Sequence, residues 1–581
     1  MRKSLKKGYN MENYLENYNH WLNSPALSEF EKEELRAISN DSDEIKIRFS
    51  SGLTFGTAGL RGIMKVGMNA MNIYTVAQAT QGLANLIHKM DRASDGVAIA
   101  YDSRNNSKKF AKIAAEVLAA ADIPVYIFDE LRPTPELSFA IRELKCVAGI
   151  NITASHNPKQ YNGYKAYWED GAQLPPEHAN TVYEEICKID IFNDVKRVDF
   201  EKAVADGKIT VIGKEIDEKY LAKVQEQIVN PNAVKKVADD LKIVYTPLHG
   251  TGHILVPEIL KRIGLKHLYK VDEQFIIDGN FPTVEKPNPE YADVFRLGIA
   301  IADKVGSNLV IATDPDADRV GVMARTKNGD FRTITGNQMG ALLLDYIITA
   351  YEETNTMPPL PYAVKSLVST ELVTKICNAH NVEMFNVLTG FKFIGEVIKN
   401  HEKSGKGSFL FGFEESYGYL KGTYARDKDA VVASMLICEM TAYYYAKGMT
   451  LCDALDKLFD KYGFCREFNV EIYMEGVDGP AKMAALLDGM RANIPCELGG
   501  VPVSTFGDYQ AQTFTSVSNG EKYSTEQPKS NMLSFKLENG DVVIVRPSGT
   551  EPKVKFYFLV IANDQSEADS RIDAYRKTLD I

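Results

Sequence analysis

Residues 97–128 read V-A-I-A-Y-D-S-R-N-N-S-K-K-F-A-K-I-A-A-E-V-L-A-A-A-D-I-P-V-Y-I-F. Positions 97–101 are a short apolar run, 102–104 a polar Asp-Ser-Arg loop, 107–121 an alanine-rich segment with apolar residues at helical spacing, and 125–128 a second apolar run. Short apolar runs bounded by turn formers are buried strands, and the alanine-rich stretch between them is a helix. Strand, helix and strand in that order are the repeating unit of an α/β sheet that is largely parallel.

The rhythm continues outward. A strand over 147–152 feeds N-I-T-A-S-H-N-P-K-Q-Y-N-G-Y-K at 151–165, which sets Ser155 among small, polar and turn-forming residues with Lys165 ten positions on. A strand over 243–245 leads into T-P-L-H-G-T-G at 246–252, one over 309–312 into T-D-P-D-A-D-R at 313–319, and one over 409–411 into G-F-E-E-S-Y-G at 412–418. A helix over 430–446 follows the last of these. The C-terminal part differs: a strand over 542–545 leads into R-P-S-G-T-E-P-K at 546–553, and a second strand covers 554–561. The expected fold is therefore α/β: three similar α/β domains with mixed, largely parallel sheets, plus a fourth, smaller α+β domain. Boundaries are expected at 1–212, 213–328, 329–465 and 466–581, with residues 1–48 a polar helical extension docked through Trp21 and its tyrosines. Polar clusters repeatedly follow strands, and open α/β sheets bind ligands outside the carboxyl ends of their strands, so the four domains are expected to offer one loop each to one central cleft.

Composition narrows the function. A chain of 581 residues exceeds one core. A net charge of −11 argues against a broad nucleic-acid surface. No apolar stretch long enough to span a membrane exists, and no apolar segment follows the basic N-terminus, so neither a membrane span nor a signal peptide is expected. Seven scattered cysteines, with no C-x-x-C pair, read as reduced thiols of a cytoplasmic protein.

Several loops carry chemistry. Asp314, Asp316 and Asp318 alternate in a tight loop, and three carboxylates so close repel unless a cation or proton intervenes. Oxygen ligands of this kind suit Mg²⁺ beside a phosphate oxygen. An EF-hand does not fit, because position 6 from Asp314 is Arg319 and position 12 is Arg325. An aspartyl nucleophile is the alternative for this loop. The stretch Phe55 to Gly62 reads as a glycine-rich turn ending near Arg61, a candidate anion ligand. Glu414 and Ser416, a carboxylate and a hydroxyl two apart, can bracket neighbouring hydroxyls of a sugar or simply form a turn, and Lys428 reads as a cation for phosphate, a proton donor or part of a charge cluster at a helix start. Arg546, Ser548, Gly549 and Thr550 have the composition of an anion-binding nest, whereas a Walker A motif is absent. The H-G-T-G run at 249–252 lacks the third glycine of a dinucleotide fingerprint and reads as a turn that opens a domain.

Four of these loops, T-A-S-H-N-P at 153–158, D-P-D-A-D-R at 314–319, G-F-E-E-S at 412–416 and R-P-S-G-T-E-P-K at 546–553, together resemble the α-D-phosphohexomutases, in the order and spacing of that family's four domains. The resemblance covers about residues 50 to 565, and W-E-D-G-A-Q-L at 168–174 looks most like the long bacterial phosphoglucomutase and animal phosphopentomutase group. It implies an isomerase that interconverts glucose 1-phosphate and glucose 6-phosphate, with Mg²⁺ as cofactor and glucose 1,6-bisphosphate as intermediate and activator. Ser155 would be the phosphoserine and would join Asp314, Asp316 and Asp318 around the metal. His156 and Lys165 would handle protons, with Arg61 and Lys428 near the reacting centre. Arg319, Thr389, Gly390, Glu414 and Ser416 would contact the sugar phosphate, and Arg546, Ser548, Gly549 and Thr550 would grip the phosphate that is not reacting. One departure is that Gly418 stands where phosphomannomutase/phosphoglucomutases of bacteria place a histidine, which disfavours a dual mannose role. The partners implied are small sugar phosphates, with neither nucleic acid nor membrane, and a monomer or weak homo-oligomer. The alternatives are a pentose or mannose phosphate mutase using the same loops, or a Mg²⁺-dependent sugar-phosphate phosphatase built on Asp314 to Asp318.

Overall fold

The computed structural model describes residues 13–56, 59–474, 478–548 and 553–581. The chain forms two compact units: one holds residues up to 323 together with 422–439, the other holds 324–421 and 440–581.

The first unit begins with helices Tyr14–Leu22, Glu29–Ala37 and Ser42–Phe49, whose first turns are capped by the side chains of Asn13, Ser28 and Asp41. Capping of this kind satisfies backbone N–H groups that a helix start leaves without partners. Trp21, 1% exposed, sits in a cluster with Tyr18, Leu35, Phe49, Val66 and Met68, so the extension docks as its aromatic residues suggest. The first sheet comprises β1 (Leu60–Ile63), β2 (Val97–Tyr101), β3 (Val125–Phe128), β4 (Ala148–Ile152), β5 (Tyr161–Trp168) and β6 (Ile209–Ile212), ordered β1-β5-β4-β2-β3-β6. β4, β2, β3 and β6 pair in parallel, and β5 and β1 add antiparallel strands at one edge. The predicted helix between β2 and β3 covers Ser107–Ala120, and every residue of β2 and β4 is buried. Parallel strands covered on both faces are uniformly apolar for this reason.

The second sheet of this unit contains β7 (Lys242–Thr246), β8 (His267–Lys270), β9 (Leu309–Thr313) and β10 (Val320–Arg325), ordered β10-β9-β7-β8. The two loops of interest leave these sheets at strand ends: residues 153–160 join β4 to β5, and 314–319 join β9 to β10.

The second unit contains β11 (Phe331–Ile334), β12 (Pro361–Ser366), β13 (Glu383–Val387), β14 (Ser408–Glu414) and β15 (Gly418–Leu420). Of these, β13, β12, β14 and β15 form a mixed sheet in that order. Its C-terminal part is an antiparallel sheet of β16 (Phe464–Tyr473), β17 (Glu497–Leu498), β18 (Val501–Asp508), β19 (Thr513–Ser516), β20 (Lys522–Ser524), β21 (Leu533–Leu537), β22 (Val542–Pro547) and β23 (Lys553–Ala562). Helices Gly479–Ala492 and Gln565–Thr578 pack on it, as an α+β domain requires.

Three sequence expectations change in detail. Arg61 lies on β1 rather than in a turn, because Leu60–Ile63 pair residue for residue with 161–164 of β5. Glu414 ends β14 and Arg546 lies within β22, because pairing with β15 and β23 carries both strands past their apolar stretches. The polar residues taken for loops are thereby held by sheet backbone. Gly549 and Thr550 lie outside the described residues.

Candidate active site

Ser155 is held in a strained and closely braced turn. Its φ is +53°, a left-handed conformation that a residue with a Cβ adopts at a cost of about 1–2 kcal/mol. Its N–H donates to Thr153 Oγ1 at 2.8 Å, and Thr153 Oγ1 donates to Asp102 Oδ2 at 2.6 Å. Asp102 also receives Ser107 Oγ at 2.7 Å and is ion-paired to Arg104 Nε at 3.2 Å. Arg104, 3% exposed, donates through its two terminal nitrogens to the carbonyls of Ser155, Asn157, Pro158 and Tyr161. The Asp102-Ser103-Arg104 loop after β2 thus grips the serine loop after the neighbouring strand. Arg104 and Asp102 were not among the residues singled out in the sequence. A buried Asp-x-Arg in the next strand's loop was the available signal.

The acidic loop is similarly organised. Ser155 Oγ donates to Asp314 Oδ2 at 2.8 Å and lies 3.2 Å from His156 Nδ1. Asp314 Oδ1 receives the N–H groups of Asp318 and Arg319 at 3.2 and 3.0 Å. Asp316 Oδ2 receives Lys165 Nζ at 2.6 Å and Thr134 Oγ1 at 2.7 Å, and Asn151 Nδ2 donates to Thr134 Oγ1 at 2.7 Å. Asp318 Oδ2 lies 3.2 Å from both Lys165 Nζ and Lys428 Nζ. Gly250 explains the H-G-T-G turn: a Cβ there would stand 2.4 Å from Pro315 Cα, and Thr251 N donates to Pro315 O at 2.8 Å. The turn props the acidic loop from below.

Asp314, Asp316 and Asp318 are all buried, with one carboxylate oxygen of each within 4.8 Å of the others, the one such group of potential metal ligands among the described residues. Asp316 Oδ1 and Asp318 Oδ1 are buried without a hydrogen-bond partner among the described residues. Buried carboxylate oxygens without a hydrogen bond are costly, and three carboxylates this close together suit a small divalent cation. Burial, with Asp316 and Asp318 as neighbours, pushes the Asp314 carboxyl well above the usual range. Burial acts the same way on Asp318, but Lys165, Lys428 and Arg319 outweigh it and hold that carboxyl low. The two carboxyls are driven apart, as crowded carboxylates with unequal cationic neighbours are. Burial works against the charge of Lys165, and Asp316 and Asp318 overcome it to keep the ammonium. His156 is held neutral by burial and by Arg319 and Arg61.

The structure therefore brings Ser155, His156, Lys165, Arg319, Lys428 and the three aspartates into one cluster in the first unit. Arg61 joins it through Asn157, whose Oδ1 accepts from Arg61 Nη1 at 3.0 Å. Arg319 is ion-paired with Glu290 at 3.1 Å. Thr134 is the support of the acidic loop that sequence reading missed. A threonine at a helix start carries no distinguishing pattern.

The remaining sequence candidates lie in the second unit. Gly390 N donates to Glu414 Oε1 at 2.7 Å, at the start of helix Phe391–Ser404. Thr389 Oγ1 is buried without a hydrogen-bond partner among the described residues. Ser416 stands in the turn between β14 and β15. Arg546 is over the Tyr557 ring, 6.0 Å from its centroid; burial opposes its charge, and Tyr557, Glu415 and Glu414 restore it. Ser548 N donates to Lys553 O at 2.8 Å. No helix among the described residues is long and apolar enough to cross a membrane.

Four models of one protein family match successive stretches of the chain. Models of phosphoglucomutase/phosphomannomutase alpha/beta/alpha domains I, II and III match residues 52–191, 218–329 and 335–462, and the model of the C-terminal domain matches 477–574. The phosphoglucomutase of Staphylococcus saprophyticus is 37% identical over 533 residues, covering 92% of this chain and 95% of its own length. That of Staphylococcus aureus strain MRSA252 is 36% identical over 527 residues, covering 90% and 93%. Among solved structures, pp63/parafusin (phosphoglucomutase) from Paramecium aligns with a TM-score of 0.67 at 18% identity, over 91% of this chain and 95% of that one. A phosphoglucomutase/phosphomannomutase family protein from Burkholderia thailandensis aligns at 0.65 and 18%, over 90% and 96%. These two show likeness of fold.

Proposed function

The chain belongs to the phosphoglucomutase/phosphomannomutase family, and from that premise we propose that it is a phosphoglucomutase, interconverting α-D-glucose 1-phosphate and glucose 6-phosphate through a phosphorylated Ser155 and glucose 1,6-bisphosphate. The observation that carries this reading is Ser155 Oγ, 2.8 Å from Asp314 Oδ2 in a cradle where Asp316 Oδ1 and Asp318 Oδ1 have no hydrogen-bond partner among the described residues. A hydroxyl set against a metal cradle is where a transferable phosphoryl group belongs. Mg²⁺ held by Asp314, Asp316 and Asp318 would neutralise charge on that group.

The chain's own residues divide the remaining work. In the forward half, the P–O bond to Ser155 breaks, a new P–O bond forms to the free sugar hydroxyl, and that hydroxyl gives up its proton. His156, neutral and beside Ser155 Oγ, is the group able to accept it and to hand it to Ser155 Oγ as that oxygen leaves phosphorus, so that serine ends as the free hydroxyl. Lys165 and Lys428 stay beside Asp318 and supply positive charge to phosphate oxygens. The bisphosphate then turns end over end, and its other phosphoryl group returns to Ser155 by the same steps reversed. Arg546 and Ser548, with Gly549 and Thr550 next in the chain, hold the phosphate that is not reacting. Thr389, Gly390, Glu414 and Ser416 meet the sugar hydroxyls in either orientation. Exclusion of water from Ser155, 3% exposed, protects the phosphoserine from hydrolysis.

The test is a panel of glucose, ribose and mannose 1-phosphates with Mg²⁺ and catalytic glucose 1,6-bisphosphate. Glucose 1-phosphate is expected to give the highest kcat/KM. Faster turnover of ribose 1-phosphate would refute the substrate and leave the site standing. Release of free phosphate without isomerisation, retained in Ser155→Ala, would refute the mutase reading itself.

A further inference from the structure

The run 168–174, W-E-D-G-A-Q-L, takes no part in the transfer proposed above, yet it is built as a rigid hairpin. Trp168 N donates to Ala172 O at 2.9 Å, and Leu174 N to Ala166 O at 3.0 Å. Gly171 has φ +81°, and a Cβ there would lie 2.6 Å from Ser138 O. Only glycine fits, and the fit presses the hairpin tip onto helix Thr134–Glu143. Ser138 Oγ donates to Gly171 O at 2.6 Å and accepts from Arg426 N at 2.9 Å, joining the hairpin to the segment that carries Lys428.

The joint continues one residue further. Tyr167 OH donates to Asp427 Oδ2 at 3.0 Å, and Gln173 Nε2 reaches the same oxygen at 3.4 Å. The other oxygen, Oδ1, receives Lys428 Nζ at 2.9 Å and Lys428 N at 2.8 Å. On the far side, Asp429 receives Tyr220 OH and Tyr424 OH and caps Val431 and Val432 at the start of helix Ala430–Tyr445. Asp427 and Lys428 are 1% and 7% exposed. Lysine is a point charge on a flexible stem, and its position is set by its acceptors. Here the acceptors are Asp318, a candidate metal ligand, and Asp427, a carboxylate pinned from behind.

We infer that Asp427 is a positioning residue: seated by Tyr167 near the end of β5 and by Gln173 of the 168–174 hairpin, it fixes the Lys428 ammonium between itself and Asp318, at the place where that ammonium serves the substrate. The inference rests on the mutase reading, and it gives the hairpin a task in the reaction. Asp427 touches no substrate; it acts through Lys428.

The experiment uses the full chain, with glucose 1-phosphate, Mg²⁺ and catalytic glucose 1,6-bisphosphate. Asp427→Asn keeps the shape and an acceptor for the lysine but removes the charge. Its kcat is expected to fall about 10- to 100-fold, with KM changed less than about twofold, the signature of a misplaced group rather than lost binding. Tyr167→Phe is expected to lower kcat about 3- to 10-fold in the same manner. Lys428→Met sets the reference, and Asp427→Asn/Lys428→Met should be as slow as Lys428→Met alone, because residues that act as a unit are not additive. Wild-type kcat in Asp427→Asn, a loss confined to KM, or multiplied losses in the double variant would overturn the inference. Wild-type kcat in Lys428→Met would overturn it too and would remove the role of Lys428, whereas failure of the mutase reading shows separately as activity retained in Ser155→Ala. If Asp427→Asn does not fold, Tyr167→Phe decides: unchanged kcat there overturns the inference.

Discussion

Arg104→Lys tests how the reactive serine is held. The guanidinium serves four loop carbonyls, those of Ser155, Asn157, Pro158 and Tyr161, from two nitrogens, and balances Asp102 with a third. Lysine preserves the charge against Asp102, but a single nitrogen cannot replace two that point in different directions, so at least two carbonyl bonds are lost. A hydrogen bond from a charged group is worth about 1.5–3 kcal/mol net, which gives about 3–6 kcal/mol for two. The loop already carries about 1–2 kcal/mol of backbone strain at Ser155, which favours opening once the clamp loosens. The unfolding of a chain this long is not two-state, so global melting is the wrong readout. Native-state hydrogen exchange of the Ser155 and Asn157 amides reports loop opening directly. At about 1.4 kcal/mol per tenfold, protection should fall by about 10²- to 10⁴-fold while amides of β2 and β4 keep theirs. Phosphoglucomutase kcat should fall with it. Wild-type protection and kcat in Arg104→Lys would show that the carbonyl clamp does not hold the serine. Arg104→Met, which leaves Asp102 buried and unpaired, should fail to accumulate as folded protein, since breaking a buried pair costs about 3–5 kcal/mol.

Other outcomes follow from the same contacts. Thr134→Val removes the hydroxyl that donates to Asp316 Oδ2 and should raise the Mg²⁺ concentration for half-maximal activity about 10- to 100-fold, measured by metal titration; an unchanged titration would refute the support role. Chelation of divalent cations should abolish turnover and Mg²⁺ should restore it, and residual activity in excess chelator would exclude the metal reading of Asp314, Asp316 and Asp318. In the C-terminal domain, burial would raise the Glu471 carboxyl, but Lys553 and Lys555 hold it down to about 2. A depressed carboxyl stabilises the folded state above its ordinary pKa of 4.5 and loses that contribution as pH falls toward 2. Glu471→Gln should therefore lower hydrogen-exchange protection in Phe464–Tyr473 at pH 7, with the difference from wild type shrinking below about pH 4.5; a difference that grows on acidification would refute the assignment.

Much of the fold was legible in the chain. The run 97–128 gave strand, helix and strand to within a residue, since buried parallel strands and an alanine-rich helix leave periodic apolar signatures. Strand ends were less legible: Arg61, Glu414 and Arg546 are polar residues drawn into strands by neighbours distant in sequence. The return of 422–439 to the first unit also leaves no local mark, because it depends on what Ser138, Tyr167 and Tyr220 offer across the fold.

By itself, the sequence determined the kinds of chemical group and the order in which the loops present them: a serine in a turn, three alternating aspartates, a Glu-x-Ser pair and an Arg-x-Ser cluster. Those follow from residue type and from apolar periodicity, which are local. Only the tertiary structure decided that Ser155 Oγ faces Asp314, that Lys165 and Lys428 share Asp318, and that Arg104, Thr134 and Asp427 stand behind them. The reason is physical: a hydrogen bond or ion pair depends on distances of about 3 Å between atoms that the chain separates by tens to hundreds of residues, and only packing sets those distances.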